Sequence, residues 1–109
     1  MEIIRATRTA EQAGAYYVRI QATCRMYAIN DYSVMLGRIV VLPEYRHQGL
    51  GTLVVREAEN WARELGYTSA VVESRDNKIQ FYENMGYVAD YSQKIVGETF
   101  TCFTMTKDL

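Results

Sequence analysis

The stretch from Val40 to Thr52 limits the fold of this chain more than any other. An apolar, β-branched run reaches Leu42 and halts at Pro43, the single proline; polar and basic residues follow, Arg46 and His47 among them, and then Gly49 and Gly51, one residue apart. Proline cannot donate to a sheet ladder, so a strand ends there. From Leu53 to Leu65 the apolar residues recur at helical spacing, which puts the glycine turn at a helix start. Unpartnered backbone N–H groups and the positive end of the helix dipole meet at that point. Strand, glycine turn and helix start together predict a place for a phosphate.

Two glycines also make a tight turn that binds nothing, and that reading stands beside the functional one. The loop is no Walker loop, since no Gly-Lys-Ser/Thr follows, and no dinucleotide fingerprint, since the third glycine and the distant acidic residue are missing. It suits the pyrophosphate of a carrier that is not itself a phosphoryl donor.

With 109 residues, 49% apolar and 23% charged, the chain is sized for one domain, residues 1–109, around one modest core. A net charge of -1, with no run of like charges, gives no pull toward nucleic acid. Cys24, Cys102 and one histidine have neither the number nor the spacing of a disulfide framework or a metal centre, so free thiols and no metal are expected. Met1 to Arg5 lacks signal-peptide character and no apolar run reaches bilayer-spanning length; a cytoplasmic location, away from membranes, is the expectation.

In chain order, Glu2 to Ala6 reads as a strand, and Thr9 with Gln12 forms a capping box for a helix from Ala10 to about Gln21. Ala22 to Ile29 alternates as a strand should, yet nothing turn-forming separates it from the helix. Asn30 to Ser33 is a turn, which makes Ala22 to Leu42 an antiparallel hairpin. After the central helix, closed by Gly66, come a strand at Ser69 to Glu73 and a short helix at Lys78 to Met85 capped by Asp76 or Asn77 and closed by Gly86. Tyr87 to Val96 and Thr99 to Thr106 form a last strand pair, joined at Gly97-Glu98. The order is β-α-β-β-α-β-α-β-β, an α/β fold of the α+β type with a mixed central sheet.

Arg46-x-x-Gly49-x-Gly51, preceded by Val41-x-Pro43-x-Tyr45, resembles the acyl-CoA signature of the GNAT superfamily of acetyltransferases. Downstream, Ile79-Gln80-Phe81-Tyr82-Glu83-x-Met85-Gly86-Tyr87 is similar to that superfamily's Phe-Tyr-x-x-x-Gly-Phe/Tyr segment, at a matching distance. The resemblance covers Val34 to Leu109 well and the first third weakly.

That resemblance implies acetyl-CoA as cosubstrate, in the cleft where two parallel strands splay, here Ile39 to Leu42 and Ala70 to Glu73. The backbone of Val40 and Val41 would pair with the pantetheine arm, and amides from Arg46 through His47, Gln48, Gly49, Leu50 and Gly51 to Thr52 would hold the pyrophosphate. Phe81 belongs to the same binding segment, and Asn77 stands two residues late for the family asparagine, which is Arg75 here. The reaction implied is direct attack of a small-molecule or peptide amine on the thioester. Tyr82 matches the family tyrosine that hydrogen-bonds or protonates the leaving sulfur, beside its plainer reading as one of nine tyrosines. An alkyl ammonium has a pKa near about 10.4, so its proton needs an acceptor; Glu73 is the candidate, beside the plainer reading of a solvated carboxylate or a partner of Arg75. His47 reads as a solvated loop residue rather than a base.

Members of the family usually place a second helix and another strand between the first helix and the hairpin, and here nothing lies between Ile20 and Cys24. Either that segment is missing or the chain is a shortened version, dependent on a homodimer. The alternative to a transferase is an acyl-CoA-binding domain without turnover, its acceptor side absent; a third reading is a structural α/β module whose glycine turn binds nothing.

Overall fold

The computed structural model describes residues 22–97 and 101–109. The strand expected at Glu2 to Ala6, the helix at Ala10 to Gln21 and the hairpin tip at Glu98 lie outside the described residues. Within them the elements run β1 (Ala22–Ala28), β2 (Ser33–Val41), α1 (Leu50–Glu64), β3 (Ser69–Arg75), α2 (Ile79–Glu83), β4 (Val88–Val96) and β5 (Thr101–Asp108). These five strands form one mixed sheet in the order β1-β2-β3-β5-β4, in which only β2 and β3 are parallel.

The first hairpin closes as its turn residues require. Asn30 Oδ1 accepts the backbone N–H groups of Tyr32 (3.0 Å) and Ser33 (2.8 Å), so the side chain stands in for a backbone turn. Past β2 the helix α1 crosses over and returns the chain parallel to β2, the connection a parallel pair demands. Val34 and Leu36 of β2, Ala70 and Val72 of β3 and Met105 of β5 share one face of the sheet. Against that face pack Val55 and Ala62 of α1, with Met85 and Tyr87 from the end of α2. Each fully buried Val, Leu or Met contributes about 1.5–3 kcal/mol.

Several boundaries differ from expectation, three of them near the site. Helix α1 starts at Leu50 rather than Leu53, so Gly51 lies in its first turn instead of before it. Neither Asp76 nor Asn77 caps α2; both sit in a 3₁₀ turn (Asp76–Lys78) that leads into it without a side-chain cap bond. Strand β3 runs to Arg75, because β5 continues to pair with it as far as Arg75 and Cys102. Helix α2 spans Ile79–Glu83, shorter than the expected Lys78 to Met85, while the closure at Gly86 follows expectation: Gly86 takes φ 97°, Gly86 N–H donates to Glu83 O and Tyr87 N–H to Tyr82 O, both at 3.0 Å.

The feature that positions the site is an extra residue in β2. Thr23 pairs with Val40 and Arg25 with Gly37, so Cys24 of β1 faces two residues, Arg38 and Ile39. Arg38 adopts φ 49°, the left-handed conformation of a bulge. Pairing of β2 with β3 ends at Leu36 and Val72, just short of the bulge. Beyond it β2 stays with β1 and leaves β3. The gap therefore lies between Gly37 to Val41 on one side and Glu73 to Arg75 on the other, and Ala70 to Val72, expected at its edge, are still paired.

Candidate functional site

At the end of β2 the chain folds into a 3₁₀ turn, Pro43–Tyr45, in which Tyr45 N–H donates to Leu42 O at 2.9 Å. Arg46 bends back so that Nε donates to Val41 O at 3.2 Å. His47 and Gly49 take φ 65° and 76°, turning the chain sharply enough to start α1 directly after the loop. A side chain at Gly49 would be strained by that φ, and the space above it is open, with no atom within 4 Å of where a Cβ would stand. Leu53 N–H reaches Gly49 O at 3.1 Å, so the N–H groups of Leu50, Gly51 and Thr52 have no acceptor in the helix. The first turn of α1 carries no acidic residue and no side-chain cap. It is a helix start left electropositive.

Gly51 ties this turn to two other elements. A Cβ there would lie 3.6 Å from Phe81 Cε1 and 3.9 Å from Val41 Cγ2, so the start of α1, the end of β2 and α2 converge on one point. The Phe81 ring meets Tyr82 edge-on at 5.0 Å, and Tyr82 meets Tyr87 at 5.7 Å. Tyr82 is half-buried and lies close enough to Cys24 for the thiol to bear on its ionisation. Burial, and after it Cys24, hold the Tyr82 phenol above the ordinary tyrosine value. Burial also pushes the Cys24 thiol up to about 11, against a smaller opposing hydrogen bond with the Gly37 backbone.

The structure thus brings Val41, Arg46, Gly49, Leu50, Gly51, Thr52, Phe81 and Tyr82 into one neighbourhood, with Val40, His47 and Gln48 exposed along its rim. It leaves two of the sequence candidates apart. Asn77 is exposed in the 3₁₀ turn before α2 rather than at the glycine loop. Glu73 alternates with Val72 and Ser74, both 1% exposed beneath the helices, so its carboxylate projects from the other face of the sheet. There Glu73, Arg75 and Asp76 bear on the buried Cys102 thiol, which burial raises. Glu73 and Tyr82 thus flank the gap from opposite faces.

Sequence reasoning missed Cys24 beside Tyr82 and missed Glu59 altogether. Gly37 inside a strand pattern was the available signal for the bulge that brings Cys24 forward. Among the described residues no helix is long and apolar enough to cross a membrane, and no three His, Cys, Asp or Glu side chains gather as a metal site would require.

Residues 9–89 match the family model of the acetyltransferase (GNAT) domain. The chain belongs to this family. Among relatives of this GNAT domain, uncharacterized protein YyaT of Bacillus subtilis is 31% identical over 81 residues, covering 74% of this chain and 54% of its own length. This chain therefore spans about half of that relative. Among solved structures, one from Lactobacillus plantarum described as an N-acetyltransferase superposes with TM-score 0.73 at 26% identity, covering 79% of this chain and 58% of the other. A GNAT family acetyltransferase from Elizabethkingia anophelis with acetyl-CoA bound gives TM-score 0.71 at 15% identity, covering 86% and 72%. Both solved structures share the fold of this chain.

Proposed function

We propose that this chain is an N-acetyltransferase that takes an acetyl group from acetyl-CoA and delivers it to a primary amine, of a small molecule or a peptide, with both reactants bound at once. One observation carries the reading: the open amides of α1 converge, through Gly51, on Phe81 and Tyr82 at the mouth of the gap between β2 and β3. An electropositive, acid-free helix start suits a pyrophosphate, and a strand edge released from its neighbour suits an arm built of amides.

In this reading the backbones of Val40 and Val41 pair with the pantetheine arm along the edge of β2 that no longer faces β3. Amides from Arg46, His47, Gln48, Gly49, Leu50, Gly51 and Thr52 surround the pyrophosphate, and the Arg46 guanidinium exchanges Val41 O for a phosphate oxygen. Asn77 lies toward the adenine end, and Phe81 packs beside the arm. The cosubstrate supplies an activated acetyl thioester. As the amine nitrogen bonds to the thioester carbon, the C–S bond breaks, the Tyr82 phenol gives its proton to the departing thiolate, and Glu73, on the far face of the gap, accepts the proton of the amine directly or through water. Holding both reactants in one gap supplies rate through entropy already spent on binding.

A second reading, acyl-CoA binding without turnover, is favoured by the place of Glu73, the candidate proton acceptor, on the sheet face opposite the buried Val72 and Ser74. Release of free CoA thiol, followed with a panel of primary amines, separates the two. Amine-dependent release supports transfer. Calorimetric binding of CoA with no release under any amine supports the second reading, and no binding at near-millimolar CoA removes both.

A further inference from the structure

Glu59 projects from the inward side of α1, among Val55, Ala58 and Ala62, and is 1% exposed. An apolar residue is the ordinary occupant of such a position, because burying a carboxylate is costly unless its oxygens are satisfied. Both are. Tyr87 Oη donates to Oε2 at 2.7 Å, and Lys107 Nζ donates to Oε1 at 3.0 Å. The three residues come from α1, from the turn after α2 and from β5, so one carboxylate ties together elements far apart in the chain. Lys107 also lies over the Tyr87 ring at 5.7 Å and lines the space beside Gly86, where a Cβ would meet its Cε at 3.5 Å.

Tyr87, held in this way, is the residue that holds Tyr82. Its N–H donates to Tyr82 O at 3.0 Å, alongside the N–H of Met85 at the same distance, and its ring meets the Tyr82 ring edge-on. Backbone and side chain of Tyr82 are thus both referred to a ring whose far end is pinned by Glu59. We infer that Glu59 is a positioning residue: through Tyr87, with Lys107 completing the network, it fixes the Tyr82 phenol at the gap. This rests on the role given to Tyr82 above. Satisfied buried networks restrict geometry more than apolar packing does, and a misplacement of about 1 Å at a reacting group can cost about 100-fold in rate.

The test uses Glu59→Gln, which keeps the shape of the side chain, and Tyr87→Phe, which removes only the hydroxyl. Both are first confirmed as folded by thermal melts and near-UV dichroism. With ¹³C-labelled tyrosine and the Tyr82 ring signals assigned through Tyr82→Phe, Glu59→Gln is expected to shift those signals. In turnover, each variant is expected to lose about 10-fold or more in kcat with CoA affinity unchanged, and neither to lower the residual rate further in a Tyr82→Phe background. An unshifted Tyr82 ring in folded Glu59→Gln, or equal losses in both backgrounds, overturns the inference. A shifted ring in a protein that releases no CoA with any amine supports the link from Glu59 to Tyr82 while removing the transferase reading.

Discussion

The two ends of the β2–β3 pair are built for opposite purposes. From Ser33 to Leu36 the strands lie side by side and their inward residues are almost completely covered; past the bulge at Arg38 they part, and Val40 is 52% exposed. The joined half is where apolar burial accumulates. The parted half gives up ladder hydrogen bonds and leaves backbone groups available, a condition that loops and edges tolerate and cores do not. Stability and binding are thus separated along a single strand.

Truncation should expose that contrast most sharply. Leu36→Ala is expected to cost about 2–5 kcal/mol in urea unfolding, whereas Val40→Ala should stay within about 0.5 kcal/mol. Similar costs at both positions would break the comparison. In the parted half the largest change should be in rate: Tyr82→Phe should lower kcat about 100-fold while shifting the calorimetric CoA affinity by less than about threefold. Parallel losses in both quantities would take the acid role from Tyr82. Next, Gly49→Val places a β-branched residue at φ 76° above the open amides, and should weaken CoA binding about 10-fold with the far-UV dichroism retained. An unchanged affinity would count against the loop as the phosphate site.

The mildest effect should be a slope with pH. Cys24 is raised from 9.0 to about 11, and Tyr82 and Tyr87 are raised from 10.0, all led by burial of the neutral form. Each binds its proton more tightly folded than unfolded, so its contribution is whole below the unfolded value and fades as pH climbs toward the folded one. Urea midpoints should therefore fall from about pH 9 upward, and Cys24→Ala should flatten the first part of that fall. A midpoint constant from pH 8 to 11 would contradict the burial of these groups.

What could be read in advance follows the range of the interaction responsible. Asn30 makes its turn with neighbours two and three residues away, and Gly86 closes α2 through bonds inside its own turn, so both were visible in local sequence. The glycine loop and the Phe81-Tyr82 pair were visible because their chemistry dictates residue type at fixed spacing. Glu59 was not, since Glu57-Ala58-Glu59-Asn60 reads as a solvated helix face until Tyr87 and Lys107 arrive from distant segments. The face taken by Glu73 likewise depends on the pairing register of β3, which no local pattern specifies.

The bulge at Arg38 has one more consequence. Up to Leu36 the even-numbered residues of β2 point inward; from Ile39 onward the odd-numbered ones do, with Ile39 against the core and Val41 beside Gly51. Arg38 works as a frameshift in the strand. Were Arg38 instead taken into the ladder as an ordinary paired residue, the core half would stay legible and everything after it would be misread, sending Val40 toward Gly51 and Val41 out to water, so the bulge constrains the loop as firmly as the glycines do.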